Sequence, residues 1–355
     1  MNIVKNKIFI LLTLTLFSFG FLSAGDIDRV GTASGTQTLV PAGARGLSMG
    51  GSDIAYTRGT ESIYWNPAGL ADLEKGEALF SNRNILANIN LNYVSMGYSI
   101  GNNSLGLSIK SFNFGEIEKT TVQHPDGTGA TFSPTFATIG AVYSRQMTSR
   151  INFGMRPKVI YENIEQASST SFAFDFGLQY RNLFNVNGLG LGLFIKNIGT
   201  DKLFDGSGLL TYSRDKNDEK PTSHNEYRKI QTESHNLPTL IKLGTTYKFE
   251  MGNNEVTLAT AYKRKNFAKD VLNLGTEICF YDMLYFRTGY NFDIGEVDIE
   301  EGNVDTDNYG ASDYQFTIGG GLQYTILDIP LKIGYNYMPG NYFSASQSFT
   351  VVITF

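Results

Sequence analysis

From about residue 76 to the end of the chain, hydrophobic and polar positions alternate with a period of two. Over 240–249, Ile241, Leu243, Thr245, Tyr247 and Phe249 fall on one face, and Lys242, Gly244, Thr246 and Lys248 on the other. Val256, Leu258, Thr260 and Tyr262 are set in the same way against Thr257, Ala259, Ala261 and Lys263. The pattern recurs around 314–324 and 331–337. Each segment reads as a strand with one apolar face and one polar or glycine face. The segments run about 9–13 residues, longer than most soluble strands and close to what a tilted strand needs to cross a bilayer.

About fourteen such segments begin near Gly76, Leu91, Ser104, Thr135, Ile151, Ser171, Gly188, Leu237, Asn254, Asp270, Met283, Ser312, Pro330 and Ala345. An even number is what bacterial outer-membrane barrels use. Three long connections, 115–134, 200–236 and 295–311, follow the third, seventh and eleventh segments, so all three fall at one end of such a barrel. The other end carries short turns such as Gly101-Asn102-Asn103, Thr148-Ser149-Arg150 and Gly252-Asn253. Short periplasmic turns opposite longer external loops are the asymmetry of these barrels. At the C-terminus Phe349, Val351, Ile353 and Phe355 face one way and Ser348, Thr350 and Thr354 the other, with Val352 out of pattern. A last strand ending in Phe resembles the signal read by barrel-assembly machinery. The fold expected is all-β, a transmembrane antiparallel β-barrel over 76–355, in contact with outer-membrane lipid.

The N-terminus predicts how the chain reaches that membrane. Lys5 and Lys7 precede an apolar run, 8–22, and the small residues Ser23-Ala24-Gly25 follow. That order is a secretory signal peptide, residues 1–24, which places the mature chain in the outer membrane of a Gram-negative-type bacterium. Composition fits. The net charge of −5 and the absence of a basic cluster argue against nucleic acid. One cysteine and three histidines leave little for a metal centre or acid–base machinery. No enzyme activity, cofactor or metal is expected.

Residues 31–72 do not alternate. They contain Gly43-Ala44-Arg45, Met49-Gly50-Gly51 and then Tyr64-Trp65-Asn66-Pro67-Ala68-Gly69-Leu70-Ala71. This composite resembles the N-terminal signature of the PorV/PorQ family, which is related to FadL-like outer-membrane barrels. The resemblance implies a hatch, or plug, of short helices over 25–75 lodged in a fourteen-stranded barrel. It also implies a binding or shuttling role for secreted proteins or secretion components in type IX secretion. The alternative it carries is FadL-like transport of hydrophobic small molecules, with Asn66, Pro67, Ala68 and Gly69 near the substrate route. Read from the residues alone, Pro67 and Gly69 could equally serve only to turn the chain into the first strand.

Other chemical signals are weaker. Gly46-Leu47-Ser48-Met49-Gly50 matches a serine-hydrolase pattern but lacks the strand before it and a histidine nearby. Gly188-Leu189-Gly190-Leu191-Gly192 reads as small lumen-facing positions in a strand. The acidic stretch 296–310 lacks the full calcium-loop pattern and reads as a solvated surface. On the inward faces the alternation places Asp175, Lys196, Lys242, Lys248, Glu277, Arg287 and Lys332. Such charges can pair with one another, hold the plug, or line a polar conduit. On the same faces a serine replacing Gly244 is expected to be much milder than an arginine replacing the outward Leu243. Topology is testable: protease added to intact cells should cut within 201–236, the longest connection. Protection there, with cleavage at 148–150 instead, would invert the assignment.

Overall fold

The computed structural model describes residues 32–87, 89–213, 226–294 and 314–355. The expected signal peptide 1–24 and the acidic stretch 296–310 lie outside them. In chain order the strands are β1 (Glu77–Asn84), β2 (Asn90–Ile100), β3 (Asn103–Asn113), β4 (Ile117–Glu118), β5 (Thr131–Phe132), β6 (Thr135–Gln146), β7 (Ile151–Ile164), β8 (Ala167–Arg181) and β9 (Leu189–Gly199). They continue as β10 (Leu210–Ser213), β11 (Glu226–Lys229), β12 (Leu240–Met251), β13 (Asn254–Lys265), β14 (Asp270–Phe280), β15 (Leu284–Ile294), β16 (Phe316–Ile326), β17 (Ile329–Met338) and β18 (Ser346–Thr354). Strands β4–β5 and β10–β11 are separate hairpins within two of the long connections. The remaining fourteen form a closed barrel, each antiparallel to its sequence neighbours in the wall, with β1 meeting β18.

The alternation in the sequence is the wall itself. Ile241 and Leu243 point outward and are about half exposed, while Lys242 between them is buried inside. Inside a bilayer, backbone groups have no water to bond, so an unpaired sheet edge is costly and closure removes it. The seam runs in register from Glu77↔Thr354 to Asn84↔Gln347. Gly76 and Phe355 extend it by exchanging both backbone hydrogen bonds, at 2.9 and 2.8 Å. Phe349, Ile353 and Phe355 face outward. Val352, out of pattern in the sequence, is buried inside, in an apolar cluster with Leu79, Tyr64 and Trp65.

Strand starts fall within a few residues of those expected. A shift of four residues is found in β8, which begins at Ala167 rather than Ser171. There the polar run Ser168-Ser169-Thr170-Ser171 hides the period, yet it pairs residue for residue with 160–163 of β7. Ser312, expected to start the twelfth wall strand, lies outside the described residues; that strand is seen from Phe316. The two-residue turns at Gly101-Asn102 and Gly252-Asn253 each place glycine at positive φ, +63° and +66°, a conformation that side chains strain.

Residues 36–72 form two 3₁₀ turns, Thr36–Leu39 and Pro67–Asp72, and two short helices, Ala44–Ser48 and Ser62–Trp65. They lie against the inner faces of the wall, and between Ala44 and Tyr56 the chain runs past the wall in reverse strand order, from β18 to β9. Ser48 sits on Gly319 of β16, Gly50 on Gly289 of β15, Ile54 on Gly192 of β9, Pro67 and Ala68 on Gly154 of β7, and Leu70 on Gly97 of β2. At each of these glycines a Cβ would come within 3.0 Å of the inner segment. Glycine faces therefore act as a track on which the segment packs, backbone against backbone in places. This bears on one expectation: a Cβ on Gly244 would meet Ile54 and Ala261 at 2.9 Å, so a serine there carries a packing cost of its own.

Two substitutions separate the faces. Leu243→Arg should lose about 2–4 kcal/mol if it lies near the bilayer midplane. Gly192→Ala should also destabilise, because its Cβ meets backbone atoms of Ile54 and Ala55 that cannot swing away. Urea titration of folded barrel in vesicles measures both. A Gly192→Ala barrel as stable as wild type would contradict the packing of the inner segment on the wall.

Candidate functional site

Asn66 is wholly buried and caps the Pro67–Asp72 turn, its Oδ1 accepting from the Ala68 N–H at 3.2 Å. Its Nδ2 donates to the carbonyls of Ile54 at 2.8 Å, Leu178 at 3.2 Å and Leu193 at 3.4 Å. A side chain at Gly177 would overlap Asn66, and one at Gly154 would overlap Pro67 and Ala68. Pro67 stands at the first position of the turn, where its missing N–H costs nothing. Gly69 packs on the Thr57 carbonyl. These four residues tie the inner segment to itself and to β8 and β9.

The inward charges mostly meet partners. Arg45 of the segment reaches Glu277 of β14 with two bonds of 3.0 Å and Asp53 at 2.7 Å. Arg287, directly across from Glu277 in β15, donates to the same carboxylate at 2.5 Å. Asp53 also accepts from the Tyr56 N–H and the Thr246 hydroxyl, both at 3.0 Å. A second knot surrounds Asp175. Between Phe174 and Phe176 the β8–β9 register slips by one residue, a bulge that puts Lys196 and Asn197 opposite Asp175. The N–H of Asn197, whose φ is +62°, turns to the Asp175 carboxylate at 2.8 Å, and Lys158 Nζ joins at 2.5 Å. Asn197 Nδ2 then holds Thr38 Oγ1 at 2.9 Å and the Pro238 carbonyl at 2.7 Å. Lys248 pairs with Glu255 at 2.8 Å, partly exposed. Lys332 is half exposed at the short-turn end, 3.9 Å from Glu77.

Above the segment, at the end with the long connections, lies a cavity of about 490 Å³. Tyr64, Trp65 and Phe194 form much of its apolar wall, with Phe267 and Ala268 from the β13–β14 connection. Lys196 and Lys242 line it, whereas Asn66, Pro67, Ala68 and Gly69 do not. Ser48 is a poor nucleophile: it is buried and donates to the Ala44 carbonyl at 2.7 Å. Sequence reading missed Arg45 and Asp53 as wall-to-segment residues, Lys158 as a partner of Asp175 within the wall, and Lys263 as a cavity residue. For Lys158 and Lys263 the signal was present, since both occupy inward parity positions. For Arg45 and Asp53 none was, because the segment has no period.

Closed antiparallel strands, an apolar exterior and a charged interior define an outer-membrane-type barrel. The chain belongs to the family described as type IX secretion system membrane protein PorP/SprF, whose model matches residues 80–355. The motifs behind the PorV/PorQ resemblance lie before those residues, so the family shown is PorP/SprF. No curated protein matches the chain. Among solved structures, the toluene transporter TodX of Pseudomonas putida aligns at a TM-score of 0.55 with 12% identity, over 88% of this chain and 97% of that one. A FadL homologue of Pseudomonas aeruginosa aligns at 0.51 with 10% identity over 89% and 98%. The toluene transporter TbuX of Ralstonia pickettii aligns at 0.51 with 10% identity over 88% and 97%. At these identities the likeness is one of fold.

The Arg45 knot predicts a measurable coupling. Arg45→Ala leaves Glu277 and Asp53 short of a cation and should cost about 3–5 kcal/mol. Adding Glu277→Ala should cost less than the sum of the two single changes. Strictly additive losses in urea titrations would show that the pair does not hold the segment.

Proposed function

We propose that the chain is a non-enzymatic outer-membrane barrel that binds or hands on secreted proteins during type IX secretion. The family match over 80–355 is the observation that carries this reading. Packing inside the barrel supports a particular form of it. The inner segment sits directly on the wall glycines, so among the described residues it occupies lumen that a threading polypeptide would need. Cargo would be held at the end bearing the long connections and the two hairpins. In this reading the residues before 25 are a signal peptide removed on export, 25–75 are the plug and 76–355 the barrel. The strand ending at Phe355 is presented to the assembly machinery, the outer face meets lipid, and nucleic acid has no part.

A second reading, passage of a hydrophobic small molecule, is favoured by two observations. The cavity, at about 490 Å³, falls in the size range of ligand pockets, and the fold is shared with proteins described as toluene transporters. Asn66 and Pro67 would then act by setting how the segment seals the route.

Removing the chain from its native cells should leave secreted proteins in the periplasm, and the purified barrel should carry them. Replacing 201–236 by a short linker should release them while the barrel still folds. Normal secretion without the chain, together with slowed uptake of a hydrophobic compound, would transfer the assignment to the second reading.

A further inference from the structure

The cavity holds an unbalanced charge. Arg83, Lys196, Lys242, Lys263 and Lys265 line it, and no Asp or Glu does among the described residues. The barrel register explains their crowding. Lys242 of β12 and Lys263 of β13 are direct cross-strand partners, both facing inward. One row further toward the long connections, Lys196 and Lys265 flank Leu240 on either side. Like charges directly opposite each other in a sheet destabilise it, and here the low-dielectric interior strengthens the repulsion.

The nearby carboxylates are fewer than the cations, and two of the three already hold other donors. Asp175 is held by Lys158 and the Asn197 N–H. Asp270 accepts from Tyr262 and from the Lys265 backbone. Asp293 stands in the same row as Lys263, two strands away beyond Val271, and its charge acts on both Lys263 and Lys265, one carboxylate shared by two of the five cations. Lys242 uses one donor on the Gly51 carbonyl at 2.5 Å. Lys196 is 3% exposed, and its Nζ meets only rings, the nearest being Tyr64 at 3.6 Å from the centroid. An ammonium that opens onto a cavity without a protein acceptor has an anion as its natural complement.

We propose that the cavity binds a compact organic anion, a carboxylate or sulfonate on a ring-sized apolar body. The charge is held among Lys196, Lys242 and Lys263, and the body lies against Tyr64, Trp65 and Phe194. The proposal does not rest on the secretion reading: it concerns what the cavity recognises, whichever process uses it.

The chain has a single tryptophan, Trp65, in the cavity wall, which makes a built-in reporter. The full chain in nanodiscs of zwitterionic lipid would be titrated with 4-iodobenzoate, whose heavy atom quenches indole fluorescence, and with neutral 4-iodobenzamide. Saturable quenching by the anion is expected, at least tenfold tighter than by the amide. Lys196→Gln with Lys263→Gln should weaken the anion at least tenfold in barrels that still show heat-modifiable mobility. Lys332→Gln, at the opposite end, should change nothing. Should the double variant not fold, the wild-type salt dependence decides, because an anion held by lysines must weaken as salt rises. Equal affinity for anion and amide, no saturable quenching, unchanged binding in folded lysine variants, or salt-independent binding would each overturn the proposal.

Discussion

Backbone hydrogen bonding without water is the constraint on which the rest of this molecule depends. Every strand in the bilayer has to satisfy its N–H and C=O groups on a neighbour, so the sheet must end where it began. The β1–β18 seam does this, and the Gly76–Phe355 exchange fixes its register at the margin. Once the wall is closed, each strand residue is committed to one of two solvents. Odd and even positions separate into lipid-facing apolar side chains and an interior that has to be filled.

The filling is unusual in its chemistry. The interior combines an apolar cluster around Tyr64 and Trp65 with glycine faces, against which the inner segment packs closely, and with charged knots that fasten it. Arg45 is held between Glu277 and Asp53, and Glu277 also receives Arg287. Buried pairs of this kind give modest net stability but lose much when one member is removed. They therefore specify where the segment sits more than how tightly the barrel holds together. The β8–β9 bulge extends the same logic to the wall, for the extra residue in β9 frees the Asn197 N–H for Asp175 and its amide for Thr38.

The wall was legible in the sequence because a period of two, repeated across fourteen strands, reports one physical fact many times. It failed only locally, at 167–171, where both faces carry hydroxyl residues and alternation leaves no mark. Inward charges such as Asp175, Glu277 and Arg287 were legible for the same reason. The inner segment was not. Its residues answer to the wall rather than to their own neighbours, so Asn66 reads as a turn residue, and its bonds to Leu178 and Leu193 have no local signature. The glycines showed the limit most clearly. Parity placed Gly190, Gly192 and Gly244 on the inner face, but that they are contact sites emerges only when Ile54 and Tyr56 are set against them.

The track of glycines also bears on the order in which the molecule can be made. The inner segment is the first part of the described chain, yet its docking surface is spread from β1 to β18, with Thr60 bonded to Glu77 of the first strand and the Ala44 N–H bonded to Thr350 of the last at 2.9 Å. No partial barrel offers that surface complete. The segment therefore gains its final contacts only as the last strands arrive, so that filling the interior and sealing the wall form a single closing step of assembly.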